Sequence, residues 1–390
     1  MTSASVSATI PLSEPSDSFS PRPVISVSVM THPRRAAHAE ALASAFEEFA
    51  VRVVTDPDPA GRPSTVRTAR EAWKPFDHAA THHLVIQDDV FLHPQFEPQV
   101  IDAVAAQPDA VLSFFSEWGS FTSHAIRVGA FIGAAWIPQV DTYLGTQAAL
   151  MKAGLAQEFA DWLRGLSLEV PDDHALFEFA HTRGLKHFVS NPNLVEHDVG
   201  ESLIGNASQG LRRATVFHGV SQAPRAWWQH QPMTGLRLLP AMHWSRPQPM
   251  LYAKPRRGVV RWDIRPPASA WGAFAGAVQQ LVDDNLSAFV SRPGYGKLRA
   301  AVIVLCEQVA VASAHPGEHV SDRFGESCAI EAALTMVPGA LRVEDGARDL
   351  VTDTALMAAV GVILQDVRRT LIPRLDPDTV SAYWSTSARG

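Results

Sequence analysis

The first half of the chain alternates short apolar runs with longer segments of helical spacing. Four runs rich in β-branched or aromatic residues predict strands, at residues 24–30, 51–56, 83–89 and 109–116. Three segments that predict helices lie between them, at residues 34–49, 64–76 and 94–107. Strands joined by helices of this length need crossover connections. The pattern therefore predicts an α/β fold, with a mostly parallel sheet from residue 23 to about 206.

The pattern changes along the second half of the chain. Residues 133–151 predict a loop leading into a short strand, and residues 186–206 predict a strand followed by a polar loop. Two further helices are expected between these segments, at residues 154–166 and 171–184. Residues 207–265 contain many Trp, Pro and Arg and predict an irregular linking segment, while residues 266–390 predict a separate all-α C-terminal domain. The Ser- and Pro-rich residues 1–22 predict a disordered leader.

Three polar clusters follow the first three predicted strands. They read THPRR, DPDP and QDD, and begin at Thr31, Asp56 and Gln87. Open α/β sheets bind ligands at the carboxyl ends of their parallel strands. The sequence therefore predicts that these clusters meet in one site.

Two adjacent carboxylate pairs and one histidine are the main candidates for chemistry. Asp88-Asp89 after the third strand is either a turn or a site for a divalent cation. Asp172-Asp173 is either the start of a helix, where the helix dipole favours acidic residues, or a general base. His197 is either a loop histidine or a neutral imidazole ligand of the same cation. An ion held by oxygen and imidazole ligands together would be Mn²⁺ more readily than Mg²⁺.

Composition narrows the classes of function. The net charge of −7 does not favour binding to nucleic acid or to an anionic membrane surface. No apolar run approaches the ~20 residues of a membrane span. With only two cysteines, Cys306 and Cys328, a disulfide framework is not expected, and a reducing, cytoplasmic environment is predicted.

Six motifs in order resemble those of nucleotide-sugar glycosyltransferases with the GT-A fold. The motifs read VSVMTHPRR, VVTDPDP, TVRTAREAW, VIQDDV, PDDHAL and LVEHD, and they cover residues 24–206, about half of the chain. VIQDDV resembles the DxD element of the family, and PDDHAL resembles its acidic element at a helix start. The resemblance implies a GT-A domain that transfers a sugar from a nucleotide diphosphate, with UDP as the first candidate, and that requires Mn²⁺ or Mg²⁺.

The resemblance also implies roles for individual residues. The nucleotide would contact Thr31, His32, Arg35, Asp56, Arg67, Arg70 and Asp88. Asp89 would bind the metal directly, with His197 completing its shell and Asp88 assisting. Asp173 would be the catalytic base, with Asp172 beside it, and Glu117 and Trp118 would lie near the sugar and the acceptor. A visible base without a visible nucleophile favours inversion at the anomeric carbon.

The sequence departs from the family pattern at two places and leaves two rival functions open. Gln87 stands where the DxD element usually begins with an acidic residue, and the base element reads Asp-Asp rather than Glu-Asp. Nucleotidyl transfer on a similar sheet is one rival, although the loop after the first strand lacks the expected glycines. A non-catalytic nucleotide-binding protein is the other. The helical C-terminal region matches no family pattern and is expected to bind the acceptor or a partner, or to form a homodimer.

Overall fold

The structure of the protein is a computed structural model. It describes residues 22–198, 206–217, 221–242, 245, 248–254, 262–265, 272–317, 319, 322–344, 347–376, 378 and 381–385. Of the predicted leader, residues 1–21 lie outside the described residues.

A seven-stranded sheet forms the centre of the molecule, in the order β2-β1-β3-β7-β5-β8-β6. Its strands are β1 Ile25–Thr31, β2 Ala50–Thr55, β3 His82–Gln87, β5 Val111–Ser113, β6 Trp136–Pro138, β7 Ala148–Lys152 and β8 His187–Ser190. Two short strands, β4 Val90–Leu92 and β9 Val195–His197, pair antiparallel beside it. In the central sheet only β6 and β7 run against the other strands, so the sheet is mostly parallel. The predicted fold class is confirmed.

Six helices connect these strands. They are α1 Ala36–Ala43, α2 Thr65–Ala72, α3 Phe96–Ala106, α4 Phe121–Ile132, α5 Ala153–Leu163 and α6 Asp172–Thr182. The predicted start of α2 is confirmed, since the Ser64 hydroxyl accepts a hydrogen bond from the amide of Arg67. The helix expected at 34–49 is shorter, because Pro33–Arg35 forms a 3₁₀ turn before α1 and the helix ends at Ala43.

The sheet lies between two apolar layers because successive side chains of a strand point to opposite faces. On β1, Val27 and Val29 pack into one apolar cluster and Met30 packs into the other. On β3, Val85 packs with Met30, whereas Leu84 faces the opposite layer. Both faces are therefore covered, as expected for a mostly parallel sheet.

Helix α4 is the main element that the sequence pattern missed. Ten of its residues are buried. The buried residues include polar ones, Thr122, Ser123, His124 and Arg127, so the polar positions of this helix do not mark an exposed face. The start of α4 is capped by the Ser120 hydroxyl, which accepts from the amide of Ser123, and by Asp141, whose carboxylate accepts from the amide and hydroxyl of Thr122.

The segment predicted as irregular, 207–265, contains regular structure, so that prediction is wrong in part. It includes a short helix, α7 Arg225–Trp228, and a three-stranded antiparallel sheet with strands β10 Leu238–Met242, β11 Pro249–Ala253 and β12 Asp263–Arg265. Prolines at positions 240 and 249 lie inside these strands and hide the strand signal.

The C-terminal region is helical, as predicted, but it is not separate from the sheet. Its helices are α8 Gly272–Leu286, α9 Tyr295–Ser313, α10 Arg323–Leu334, α11 Met336–Ala340, α12 Ala347–Leu350 and α13 Thr354–Asp366. Helices α9 and α10 pack on α4, and a single apolar cluster contains residues of β1, α4, α9 and α13. The fully buried Arg127 of α4 donates to the carbonyl oxygen of Ala332 in α10. The two regions therefore share a core, and the expectation of a detached domain is corrected.

Among the helices in the described residues, none is both long enough and apolar enough to cross a membrane.

Candidate functional site

A cleft of about 750 Å³ opens at the carboxyl ends of β1, β2 and β3. The three polar clusters meet there, as predicted from the order of the strands. The expected site residues that line the cleft are Thr31, His32, Arg35, Asp56, Arg67, Asp88, Asp89, Glu117, Asp172 and Asp173.

Asp88 joins β3 to the loop after β1. Its carboxylate accepts hydrogen bonds from the Thr31 hydroxyl at 2.5 Å and from the Arg35 guanidinium at 3.3 Å. Burial raises the pKa of Asp88, and the charge of Asp89 raises it further, whereas Thr31 and Arg35 lower it. The net pKa is above the ordinary value. Asp88 thus fixes the loop that forms one wall of the cleft.

Asp89 lies between a guanidinium and an imidazole. The Arg35 guanidinium donates to one carboxylate oxygen at 3.1 Å, and Nε2 of His197 lies 3.4 Å from the same oxygen. Burial tends to raise the pKa of Asp89, but the contacts with His197 and Arg35 bring it below its ordinary value. Antiparallel pairing of β4 with β9 places His197 here, opposite Val90. The structure therefore brings the predicted pair together, with His197 buried behind Asp89.

The donor atoms at this position suit a hard divalent cation. Oδ1 of Asp89 and Nδ1 of His197 are buried, and neither has a hydrogen-bond partner among the described residues. Within the residues that the structure describes, no group of three or more His, Cys, Asp or Glu side chains is arranged to hold a metal ion. Mg²⁺ and Mn²⁺ often take only one or two protein carboxylates and complete their shell with water and substrate phosphate. Asp89 and His197 carry donor types that such an ion accepts, although the ring nitrogen that faces Asp89 is Nε2 and the unpartnered Nδ1 points away from it.

Asp56 forms a two-pronged ion pair with Arg67 at the far side of the cleft. The Nε and NH2 groups of Arg67 donate to the two carboxylate oxygens at 2.6 and 2.7 Å. The hydrogen bonds of Arg67 hold the pKa of Asp56 below its ordinary value, against the opposing effect of burial. The pair stabilises the turn after β2 and presents its outer edge to the cleft.

The second carboxylate pair lies at the first turn of α6. Burial raises the pKa of both carboxyl groups, and the charge of Asp172 raises that of Asp173 to about 7. Asp172 is 3% exposed, and its Oδ2 atom has no hydrogen-bond partner. Because a general base works best with a pKa near the working pH, Asp173 has the property that the predicted role requires.

Glu117 lies in the cleft, near the second pair. Its carboxylate forms an ion pair with the guanidinium of Arg342 at 2.7 Å, and its charge contributes to the raised pKa of Asp173. Arg342 follows helix α11 of the C-terminal region and lines the same cleft. The helical region therefore contributes directly to the site.

Besides His197, which is buried behind Asp89, two predicted site residues do not line the cleft, Arg70 and Trp118. Arg70 donates to the carbonyl oxygens of Leu163 and Leu166, at 3.0 and 2.6 Å, and so satisfies the end of α5. The Trp118 side chain is 2% exposed and donates to the carbonyl of Leu211. Neither side chain lines the cleft. In both cases the tertiary structure supplied backbone acceptors that sequence spacing does not show.

The cleft residues that were not predicted include Tyr143, Arg212 and Arg342. Tyr143 precedes β7, and Arg212 belongs to the segment that was expected to be irregular. A glycine gives the one local signal, since Gly210 has a φ of +70° and a Cβ atom there would lie 2.1 Å from the carbonyl oxygen of Arg342. That close approach depends on glycine, but the sequence does not reveal which segment approaches.

A scan against models of protein families found none that matches this chain, and a search of curated proteins found no match. The site is therefore interpreted from its own geometry and from the six motifs.

Proposed function

We propose that the protein is a metal-dependent glycosyltransferase that uses a nucleotide-diphosphate sugar as donor. One observation carries the proposal. The cleft is lined by Asp89, with His197 buried behind it as a second proposed donor for a divalent cation, and by Asp173, whose carboxyl group has a pKa raised to about 7. An anchor for a diphosphate and a base for the acceptor are the two groups that such a transfer needs.

The cleft offers distinct positions for the parts of the donor. The edge formed by Thr31, His32 and the Asp56–Arg67 pair supports a place for the nucleoside, because carboxylate oxygens retain lone pairs for ribose hydroxyls. Arg35 and Asp88 lie beside it, where the diphosphate is proposed. UDP is the first candidate nucleotide.

Asp173 is proposed to take the proton from an acceptor hydroxyl or amine as that group attacks the anomeric carbon. Its position at the start of α6 places the carboxylate near Glu117, where the sugar and the acceptor would meet. A bound Mn²⁺ or Mg²⁺ would supply Lewis acidity to the leaving diphosphate. The base supports an inverting reaction, in which one displacement suffices.

Calorimetry tests the proposal. UDP and GDP sugars are titrated into the wild type with Mn²⁺, and into Asp89→Ala. We expect binding that depends on the metal in the wild type and is lost in Asp89→Ala. Asp109→Asn is the matched control, since this exposed aspartate precedes β5 at the opposite edge of the sheet. Absence of nucleotide binding, or metal-dependent binding that survives in Asp89→Ala, would refute the proposal.

One observation favours a non-catalytic nucleotide-binding protein as the second candidate. Arg35 already contacts both Asp88 and Asp89, and Arg212 contacts His197, so arginines neutralise the group that would hold the metal. Nucleotide binding without transfer to any acceptor, unaffected by Mn²⁺, would support this candidate over the first.

Two further predictions from the sequence remain predictions. Exposed Ile330 and Leu334 lie one turn apart on α10 and provide an apolar face for a homodimer. Sedimentation of the protein would test that expectation. A cytoplasmic location is likewise proposed from the two free cysteines.

A further inference from the structure

Arg212 lies on the wall of the cleft opposite the loop after β1. Its guanidinium NH2 group lies 3.1 Å from Nε2 of His197, the imidazole that also contacts Asp89. Because a guanidinium only donates, this contact is a hydrogen bond only when Nε2 is unprotonated. The His197 side chain therefore contacts both Arg212 and Asp89, next to the position proposed for the diphosphate.

Arg212 differs from the other arginines around it in its lack of an anionic partner. Arg35 pairs with two aspartates, Arg67 pairs with Asp56, and Arg342 pairs with Glu117. Across the described residues, no carboxylate lies within ion-pair distance of Arg212, which is half-buried. A partly buried charge without a counter-ion is unfavourable, so the folded site gains free energy when an anion binds there.

The backbone around Arg212 is held in place by the C-terminal region. The amide of Leu211 donates to the carbonyl oxygen of Arg342 at 3.1 Å, and Gly210 allows the two segments to approach. Trp118 contributes a second tie by donating to the carbonyl of Leu211. Because these contacts fix the residues on both sides, the guanidinium is positioned before any ligand arrives.

We propose that Arg212 is a phosphate-binding residue and that the cleft binds a diphosphate group without a divalent cation. The planar guanidinium matches two phosphate oxygens, and Arg34 at the rim, which also has no carboxylate partner among the described residues, provides a second positive charge. The choice of diphosphate rests on the proposed function. The two arginines then provide affinity for the diphosphate by themselves, and a bound metal ion increases that affinity.

Calorimetry in EDTA tests this proposal with two probes, inorganic pyrophosphate and UDP. We expect the wild type to bind both, with an affinity that falls as salt is added. Arg212→Gln should weaken both by tenfold or more, and Arg212→Lys by less, because lysine keeps the charge but loses the planar fork. Arg213→Gln is the matched control, since Arg213 is the next residue but does not line the cleft.

The outcomes separate the two proposals. Pyrophosphate binding that is lost in Arg212→Gln, together with no binding of UDP under any condition, supports this inference and refutes the donor proposal. UDP binding only with Mn²⁺, or equal affinities of Arg212→Gln and wild type in EDTA, overturns the inference and leaves the glycosyltransferase proposal standing. If Arg212→Gln does not fold, Arg212→Lys is compared with Arg213→Lys, and equal affinities of these two variants overturn the inference.

Discussion

Two pairs of adjacent aspartates face the same cleft, but their environments are opposite. Asp88-Asp89 ends a buried strand and is surrounded by Arg35, His197 and the Thr31 hydroxyl. Asp172-Asp173 begins a helix, and within the described residues no arginine or lysine forms an ion pair with it.

The surroundings decide the protonation of each pair. In the first pair, nearby cationic and hydrogen-bonding groups bring the pKa of Asp89 below its ordinary value in spite of burial. In the second pair, burial raises both pKa values, and the charge of Asp172 raises that of Asp173 further, to about 7. The same dipeptide therefore contains one carboxyl group with a lowered pKa, Asp89, at the first position, whereas both carboxyl groups have raised pKa values at the second.

The largest expected effect is that of Asp173→Asn on turnover. An amide cannot take a proton from the acceptor, so the rate should fall by roughly 10²–10⁴-fold while nucleotide affinity stays unchanged. Steady-state assays with the donor and calorimetry with UDP measure the two quantities. Glu178→Gln, an exposed change on the same helix, should behave as wild type. If Asp173→Asn kept full turnover, Asp173 would not be the base, and the two aspartate pairs would not differ in function in this way.

Arg35→Gln should leave the carboxyl groups of Asp88 and Asp89 without the arginine beside them, as the carboxyl groups of the second pair already are among the described residues. Without the guanidinium the two carboxylates repel each other, and the free energy of unfolding at pH 8 should fall by roughly 1–2 kcal/mol. The loss should shrink at pH 5, because one carboxyl group then binds a proton in the folded state. Urea unfolding at both pH values measures this. Arg164→Gln, which breaks an exposed pair with Asp161, is the control, and an equal loss at both pH values would contradict the explanation.

Asp173→Asn should also stabilise the protein at high pH. The folded pKa of about 7 lies above the ~3.9 of an unfolded aspartate, so wild-type stability falls as the pH rises from about 4 to 7. Because asparagine does not titrate, the Asp173→Asn variant does not lose stability in this pH range. It should exceed the wild type by up to about 4 kcal/mol at pH 8, which is the linkage energy of that pKa difference, and differ little at pH 4, as measured by urea unfolding. The same difference at both pH values would mean that Asp173 does not titrate in this range.

The smallest expected effect is that of Asp172→Asn on the pH profile. Removing the neighbouring charge lowers the pKa of Asp173, so the midpoint of the rising limb of kcat/KM should move from about 7 to lower pH. Relative activity at pH 6 should increase, by less than about tenfold. A midpoint that stays near 7 would show that burial alone sets the pKa of Asp173.

The order of elements and the convergence of the first three polar clusters could be predicted from the sequence, because both follow from strand spacing and chain connectivity. Asp88 and Asp89 could be placed in the site for the same reason. Arg70 could not be assigned correctly, since its side chain binds carbonyl groups about 95 residues later in the chain, and residue spacing carries no information on such contacts.

The C-terminal half of the chain shows even more strongly that residue spacing does not reveal long-range contacts. Its helical character could be predicted from composition, but α4 is buried between the sheet and the C-terminal helices with polar residues such as His124 and Arg127 inside, so its polar positions do not mark an exposed face. The contact of α9 and α10 with α4, and with it the entry of Arg342 into the cleft, was therefore hidden.

The sequence by itself determined the α/β class and the edge of the sheet at which a site would lie, because hydrophobic periodicity and crossover connections are local properties. It also determined that two carboxylate pairs would lie near that edge. Only the tertiary structure decided which pair holds its charge and which takes up a proton. A pKa depends on burial and on charges within a few ångströms, and here several of those charges come from residues that are distant in sequence: Arg35, His197 and Glu117.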